Sequence, residues 1–200
     1  MITWNIGNRK LEFDDATHTY FVDGAKCISV TQLLKFKFPS KYDGVSKEVL
    51  NKAADKGTEL HEAIEVYEEY GLERNDLQEF RNYLFLKNKF NFKVKQVEIP
   101  IIIQHGDLTV CGRLDQVQEL DEKTGLADIK RTSVLDKEYL AYQLNLYRIG
   151  YTQCYGEVIS FLKGIHLHND KRKYIDLPVN TDIAIELLEE YERKLEDESR

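Results

Sequence analysis

The sequence predicts an α/β fold, in which a mixed central β-sheet is flanked by helices. Segments with helical and with strand periodicity follow one another as helices, a three-stranded meander, a helix and further strands. Hydrophobic residues make up 42% of the 200 residues, which is enough to bury one substantial core. No repeat, low-complexity tract or linker divides the chain. We therefore expect a single domain.

The N-terminal segment predicts a β-hairpin followed by a short helix. The hairpin covers residues 11–30 and turns at Asp23-Gly24, a dipeptide typical of tight hairpin turns. Ser29 or Thr31 then caps a helix that runs through Leu34.

Two helices and the meander are expected next. A long helix runs from Ser46 to Gly71, and a second helix begins at Asp76. The inner face of the long helix is predicted to comprise Ala53, Gly57, Leu60, His61, Ile64 and Tyr67 or Glu68. The three strands are predicted at residues 93–103, at residues 108–120 and around Ile129.

The last part of the chain predicts a helix, a hairpin and a second helix. The first helix ends at Gly156, and the hairpin turns at Asn169-Asp170. Residues 180–198 then form an acidic C-terminal helix.

Two carboxylates are predicted to converge in the central hairpin. If Asp121 and Glu122 form its turn, Asp115 lies directly opposite Asp128 on the same face. Cross-strand Cβ atoms are roughly 5 Å apart, so the like charges destabilise this pair unless a cation offsets them. The pair therefore predicts a site for Mg²⁺ or Mn²⁺, with the main-chain carbonyl of Ile129 as a further ligand.

Four other side chains could serve the same site. Lys130 follows Asp128 by two residues and therefore projects from the same face of the strand. Its ammonium could hold an attacking water or stabilise charge on a phosphoryl oxygen. His61 is either a metal ligand or an ordinary core histidine. Gln143 and Tyr147 are one helical turn apart and either contact nucleic acid or pack against the sheet.

Four motifs follow one another along the chain. They are G-x-x-x-H (Gly57, His61), G-x-x-D (Gly112, Asp115), D-x-K (Asp128, Lys130) and Q-x-x-x-Y (Gln143, Tyr147). In this order and spacing the sequence resembles the RecB-type branch of the PD-(D/E)xK nucleases. That branch includes λ-type exonucleases, the RecE exonuclease of prophages and mitochondrial single-strand exonucleases. The motifs cover residues 57–147, and the segment from residue 18 is similar to the lead-in of phage members.

The resemblance implies a restriction-endonuclease-like core within one nuclease domain, residues 1–200. Its parts would be an N-terminal hairpin and capping helix (1–45), the nuclease core (46–178) and the acidic C-terminal helix (180–198).

The resemblance also implies roles for individual residues. His61, Asp115 and Asp128 would be metal ligands, and Lys130 would be the catalytic lysine. Gln143 and Tyr147 would position the nucleic acid, and Glu98 is a further candidate for the site. Asp128 stands where the family more often has Glu, which shortens the reach of this carboxylate by one methylene. The four cysteines of iron–sulfur-bearing relatives are absent, so no iron–sulfur cluster is expected.

The function implied is that of a Mg²⁺- or Mn²⁺-dependent DNA exonuclease in phage or prophage recombination or repair. Its partners would be DNA and a single-strand annealing recombinase, and it could assemble as a homo-oligomer. Two alternatives remain open: a structure-specific endonuclease of the same superfamily, and an inactive DNA-binding module. The sequence shows no recognition helix, zinc finger or basic arm for reading bases.

A DNA end could be recognised at the predicted N-terminal helix. Ser29 and Thr31 stand at its N-terminus, where free N–H groups and the helix dipole favour an anion such as a terminal phosphate. Lys35 and Lys37 follow nearby. Equally, Ser29 or Thr31 could only cap its own helix.

The net charge of −7 is concentrated at the C-terminus. Residues 180–200 hold eight acidic and three basic residues, which gives −5 of this total. The rest of the chain contains two basic clusters, one of Lys35, Lys37, Lys41, Lys47, Lys52 and Lys56, and one of Lys171, Arg172 and Lys173. Each cluster could contact nucleic acid or simply be solvated surface.

The expected location is the cytoplasm. The first residues lack the apolar run of a signal peptide, and no stretch approaches the roughly 20 apolar residues that span a membrane. Cys27, Cys111 and Cys154 are odd in number and widely spaced, which predicts buried free thiols in a reducing compartment.

Overall fold

The structure is a computed structural model that describes residues 1–39, 44 and 46–198. Within these residues the chain forms nine strands and five helices. The strands are β1 (Ile2–Ile6), β2 (Arg9–Asp14), β3 (Thr19–Val22), β4 (Ala25–Ser29), β5 (Lys93–His105), β6 (Leu108–Leu120), β7 (Lys123–Lys130), β8 (Phe161–His168) and β9 (Lys171–Leu177). The helices are α1 (Val30–Lys37), α2 (Lys47–Tyr70), α3 (Gln78–Phe90), α4 (Lys137–Tyr155) and α5 (Thr181–Glu198).

All nine strands belong to one mixed sheet. Strands β5, β6 and β7 form the predicted antiparallel meander. Helix α4 then crosses over to β8, which is parallel to β7, and β9 returns antiparallel to β8. The predicted α/β class, with a mixed central sheet flanked by helices, is confirmed.

Strand β6 is paired differently along its two edges. One edge is covered by β5 over almost its whole length. The other edge is shared, because β4 pairs in parallel with Val110 and Cys111 while β7 pairs antiparallel from Gln116 onward. Residues 112–115 therefore lie between two diverging strands. This split in the sheet opens a cleft beside Asp115.

Helices cover both faces of the sheet. On one face α1, α4 and α5 pack against it, with Leu144 and Leu187 among the fully buried side chains. On the other face Leu60 of α2 and Phe80 of α3 pack over strands β7 and β8. Each fully buried side chain of this size contributes about 1.5–3 kcal/mol through the hydrophobic effect. A third cluster, which includes Leu11, joins strands β1–β4 to this core.

Two of the predicted helices follow their sequence signals at both ends, whereas α3 begins at Gln78 and not at Asp76, after Leu77, whose side chain makes no cap hydrogen bond. Ser46 caps α2, and Gly71 ends it in the left-handed conformation with φ 72°. Helix α4 begins after Asp136, whose carboxylate accepts a hydrogen bond from Tyr139 N–H, and it ends at Gly156 with φ 70°. None of the described helices is both long and apolar enough to cross a membrane.

The turn predicted in the central hairpin is also confirmed. Asp121 and Glu122 both have positive φ angles, 50° and 62°, and join the paired residues Leu120 and Lys123. Two residues with positive φ match the type I′ turn that suits the twist of a two-residue hairpin.

The turn predicted at Asp23-Gly24 is confirmed, because both residues have positive φ angles and join the paired residues Val22 and Ala25. The predicted hairpin was incomplete, since residues 11–30 belong to a four-stranded meander in which Gly7 with φ 59° also turns β1 back onto β2. A further expectation was wrong. The predicted inner face of α2 starts only at Leu60, since Ala53 is exposed and an added Cβ at Gly57 would meet nothing within 4 Å. The first half of α2 thus borders the cleft and does not lie against the sheet.

Candidate active site

The candidate active site lies where the sheet splits beside β6. Asp115 comes from β6, Asp128 and Lys130 come from β7, and Glu98 comes from β5. Helix α2 crosses this region and contributes His61. Four separate elements thus bring the ionisable side chains to one place.

Three of these side chains form a compact group of potential metal ligands. One ligand atom from each of His61, Glu98 and Asp115 lies within 4.8 Å of the other two. The Nδ1 atom of His61 is 3.8 Å from Glu98 Oε1 and 3.7 Å from Asp115 Oδ1. Asp128 is not part of this compact group, although its carboxylate is close enough to influence Asp115.

The main chain of Ile129 orients two members of the group. The Nε2 atom of His61 is 3.1 Å from the Ile129 carbonyl oxygen, and Asp115 Oδ2 accepts a 2.6 Å hydrogen bond from Ile129 N–H. When Nε2–H donates to this carbonyl, Nδ1 faces the carboxylates, to which the charged ring offers a proton, whereas the neutral ring offers a lone pair to a metal ion. The Ile129 carbonyl, predicted as a metal ligand, is here the partner of His61.

Asp128 is a buried carboxylate with incomplete hydrogen bonding. Its side chain is only 1% exposed, and Lys130 Nζ lies 2.5 Å from Oδ2. Neither carboxylate oxygen accepts a well-aligned hydrogen bond from the described residues. Because a buried charged group without full compensation is costly, this carboxylate is suited to accept a cation.

The charges of the site shift the pKa values of its members. Burial raises the pKa of Asp128 to about 6, and the neighbouring Asp115 carboxylate adds to this effect. Burial also raises the pKa of Asp115. For His61, burial lowers the pKa, but the charges of Asp115 and Glu98 outweigh it and raise the pKa to about 9.

Lys130 remains a cation in this environment. Burial lowers its pKa, but the Asp128 and Asp115 carboxylates outweigh that effect, and the pKa is raised. The ammonium is therefore protonated at neutral pH.

Glu98 is held by an arginine that the sequence did not single out. Arg113 Nε lies 2.6 Å from Glu98 Oε2, which leaves Oε1 turned toward His61. Glu98 itself has φ 51°, which is uncommon for a residue other than glycine. Such backbone conformations are often found at functional sites.

Three of the four side chains predicted to contact nucleic acid border a cleft of about 760 Å³, and Gln143 does not line it. Ser29, Thr31 and Tyr147 line this cleft together with His61 and Asp115. Gln143 Nε2 donates a 3.3 Å hydrogen bond to the Tyr147 hydroxyl, as expected from their one-turn spacing. Both side chains are buried, and Gln143 Oε1 lacks a hydrogen-bond partner among the described residues.

Ser29 takes part in a capping box at the start of α1. Its Oγ accepts a hydrogen bond from Gln32 N–H, and Gln32 Oε1 accepts one from Ser29 N–H. Thr31 and Lys35 line the cleft with exposed side chains, whereas Lys37 pairs with Glu190 of α5. Lys41, which belongs to the same predicted basic cluster, lies outside the described residues.

The N-terminal sheet supplies a second wall of the cleft. Tyr20 on β3 and the β2–β3 connection at His18 line it. Burial raises the pKa of Tyr20 to about 12, and the charges of Arg113 and Glu98 also act on its hydroxyl. Neither Tyr20 nor Arg113 carries a functional signal in the sequence, although Arg113 lies inside the G-x-x-D motif.

The residues present suit a hard divalent cation. They offer one imidazole nitrogen and several carboxylate oxygens, a donor set that Mn²⁺ and Mg²⁺ accept. The Lys130 ammonium lies beside Oδ2 of the buried Asp128, and Oδ1 has no hydrogen-bond donor among the described residues, so Oδ1 is available to a metal ion.

Comparison with known proteins gives structural neighbours only. No protein-family model matches the sequence, and no curated protein matches it. The crystal structure of SSO0001 superposes with a TM-score of 0.47 at 18% identity, over 82% of this chain and 73% of that one. A protein from Eubacterium rectale, named a putative exonuclease, superposes with a TM-score of 0.49 at 10% identity, over 86% and 79%.

Proposed function

We propose that this chain is a nuclease that depends on Mg²⁺ or Mn²⁺ and hydrolyses phosphodiester bonds of DNA, starting at DNA ends. The observation that carries the proposal is the convergence of His61, Glu98 and Asp115 beside the buried Asp128–Lys130 pair. The resemblance of the four sequence motifs to RecB-type nucleases supports the same reaction.

Hydrolysis of a phosphodiester requires a placed water, neutralisation of phosphate charge and a positioned strand. A divalent cation held by His61, Glu98, Asp115 and Asp128 would supply Lewis-acid activation and charge neutralisation. The ammonium of Lys130 would hold the attacking water or stabilise the negative charge that develops on the phosphoryl oxygen. Its raised pKa keeps it charged while it does so.

The cleft supports a polyanionic substrate. Thr31 lies on its wall at the start of α1, where the helix dipole favours a phosphate, and Lys35 in the last turn of α1 adds a positive charge to the same wall. Gln143 and Tyr147 would position the strand near the carboxylates. The chain's acidic surplus lies mainly in α5, so the net charge of −7 does not oppose DNA binding at the cleft.

Internal cleavage is the second candidate. A further cavity of about 1020 Å³, lined partly by Trp4 and Gln96, shares Glu98 and Arg113 with the cleft. A strand that ran past the carboxylates into this cavity would not need to end at the site, which favours an endonuclease.

The proposal is tested by digestion of labelled duplex DNA with Mg²⁺, with Mn²⁺ and with EDTA. We expect digestion only with a metal, and Asp128→Asn should remove it while circular dichroism shows an intact fold. Asp176→Asn is the matched control, because Asp176 also pairs with a lysine, Lys163, at 2.5 Å but lies on β9 outside the site. Digestion in EDTA, or wild-type turnover by Asp128→Asn, would contradict the proposal.

A further inference from the structure

Two cysteines meet where the N-terminal sheet joins the rest of the molecule. Cys27 of β4 and Cys111 of β6 have their Sγ atoms 2.6 Å apart. At the same place β4 pairs with β6 through Ile28–Val110 and Ser29–Cys111. The cysteines thus lie beside the two-residue pairing of β4 with β6. This pairing connects the N-terminal sheet β1–β4, which lines the cleft, to the strand that carries Asp115.

The two thiols differ in access to solvent. Cys111 is 0% exposed, whereas Cys27 is half-buried and lines a cavity of about 800 Å³ that no step of the proposed hydrolysis uses. Arg9 also lines this cavity. A small oxidant can therefore reach Cys27 first, with Cys111 directly behind it.

The electrostatics agree with this order of reaction. The hydrogen bond with Cys111 lowers the pKa of the Cys27 thiol, burial partly opposes this, and the charge of Arg9 adds to the lowering. The same contact and burial raise the pKa of Cys111. Thiolate character therefore favours Cys27, and the thiolate is the form that reacts with oxidants.

We propose that Cys27 and Cys111 are a modification site at which a hydroperoxide forms a reversible disulfide, Cys27 reacting first and Cys111 resolving. Cys27 sulfur attacks a peroxide oxygen, the O–O bond breaks, and water or an alcohol leaves as Cys27 becomes a sulfenic acid. Cys111 sulfur then attacks Cys27 sulfur, the S–S bond forms, the S–O bond breaks and water leaves with the thiol proton. Two thiols lose two electrons and the hydroperoxide gains them.

The bond would fix the cleft wall to the core. It would link residues 84 positions apart in sequence and tie the sheet that carries Tyr20 to β6. A crosslink over a long loop stabilises the folded chain chiefly by restricting the unfolded one. A transient bond of this kind is compatible with the reducing compartment that the three cysteines predict.

Hydrogen peroxide treatment of the full chain, followed by intact mass measurement and peptide mapping without reductant, tests the inference. We expect the loss of two hydrogen atoms, one Cys27–Cys111 crosslinked peptide and a melting temperature several degrees higher. Dithiothreitol should reverse all three. Cys154→Ser is the matched control and should behave as wild type, because Cys154 bonds to the main chain of Ile102 and is not needed for the reaction.

The order of reaction is tested with single variants. Cys111→Ser should stop at a sulfenic acid on Cys27, which dimedone captures, and Cys27→Ser should give neither disulfide nor dimedone adduct. A crosslink that involves Cys154, or an unmodified Cys27 in wild type under peroxide, would overturn the inference. These measurements use no DNA and no metal, so their outcome is independent of the proposed nuclease activity.

Discussion

At the scale of single residues, the peptide of Ile129 explains how acidic side chains on two strands become a directed site. Its N–H binds Asp115 and its carbonyl faces His61, so both side chains are fixed by the backbone that lies between Asp128 and Lys130. The main chain of β7 therefore orients ligands that come from β6 and α2. Glu98 is the member of the group that depends on a different support, namely Arg113.

Replacement of Arg113 by lysine should weaken metal binding without unfolding the protein. Lysine keeps the charge but lacks the Nε–H that holds Glu98 Oε2, and partners that orient metal ligands typically affect affinity about 10–100-fold. We expect a rise of that size in the Mn²⁺ dissociation constant, measured by calorimetry. Arg131→Lys is the matched control, because Arg131 binds Glu79 at 2.7 Å outside the metal-ligand group.

An unchanged Mn²⁺ affinity in Arg113→Lys would mean that the backbone of Glu98 alone orients its carboxylate. If Arg131→Lys weakened Mn²⁺ binding equally, the effect would reflect general loosening of the fold and not the contact with Glu98. Melting temperatures of both variants in EDTA distinguish specific from general effects.

In EDTA, the site should make the fold less stable as pH rises. The pKa of Asp128 is raised from 3.8 to about 6, so the folded state binds its proton more tightly and stability falls as pH rises from about 4 through 6. The pKa of His61 is raised from 6.5 to about 9, so its contribution is complete below 6.5 and is lost as pH rises through about 9.

Urea unfolding of wild type and Asp128→Asn in EDTA measures how the contribution of Asp128 to stability changes with pH. The difference in unfolding free energy between the two proteins should change by on the order of 3 kcal/mol between pH 4 and pH 7, since one pKa unit corresponds to about 1.4 kcal/mol. The variant should gain relative to wild type as pH rises. A constant difference would show that Asp128 titrates alike in the folded and unfolded chains.

At the scale of elements, the two motif glycines differ in what they permit. Gly112 allows α4 to approach β6, because an added Cβ would lie 2.8 Å from the Tyr147 ring and 3.3 Å from Val30. Gly57 lies in α2, where an added Cβ has open space. The G-x-x-D glycine thus serves close packing beside the site, whereas the G-x-x-x-H glycine does not.

Alanine at these two positions should have opposite effects on stability. Gly112→Ala should cost about 1–3 kcal/mol, because a packed core resists an extra methyl group. Gly57→Ala should stabilise α2 by about 0.5–1 kcal/mol, since alanine favours helix and meets no neighbour. Urea denaturation measures both values, and a destabilised Gly57→Ala would imply that α2 moves closer to the sheet than the structure places it.

Local signals explain which elements could be predicted from the sequence. The turn at Asp121-Glu122 and the ends of α2 and α4 depend on nearby residues, so short patterns were enough. The inner face of α2 was wrong at Ala53 because periodicity does not tell where a helix leaves the sheet. Likewise, nothing local shows that β4 and β7 share one edge of β6, since that depends on pairing between distant segments.

At the scale of the whole molecule, the split in the sheet unites three regions at one cleft. The first half of α2, the N-terminal sheet and the central hairpin each supply one wall. Asp115 and Asp128 stand out in the sequence because their cross-strand placement is unfavourable without a cation, and Lys130 stands out because it projects to the same side as Asp128. Arg113 does not stand out because a charged residue on a strand usually faces solvent, although the β5–β6 pairing alone brings it beside Glu98. Tyr20 could not be found because it reaches the cleft only where β4 pairs with β6.

The acidic helix α5 serves packing and charge pairing and does not line the cleft. It packs with α1 and α4, and Glu190 neutralises Lys37. This pairing leaves Lys35 as the lysine of α1 that lines the cleft. The distribution of charge, and not the net value, therefore determines where a polyanion can approach.

Digestion should begin at DNA ends, because among the described residues the cleft is bordered by one compact fold and no separate base-reading module accompanies it. Linear duplex should be degraded with Mg²⁺ while supercoiled circles are spared, as followed on agarose gels. A 5′-phosphate should speed digestion relative to a 5′-hydroxyl if the start of α1 binds the terminus, and Lys35→Ala should reduce that difference several-fold. Lys37→Ala is the matched control, since Glu190 already occupies this lysine. Rapid linearisation of circles would favour the endonuclease, whereas equal rates on both 5′ ends would exclude only phosphate binding at α1.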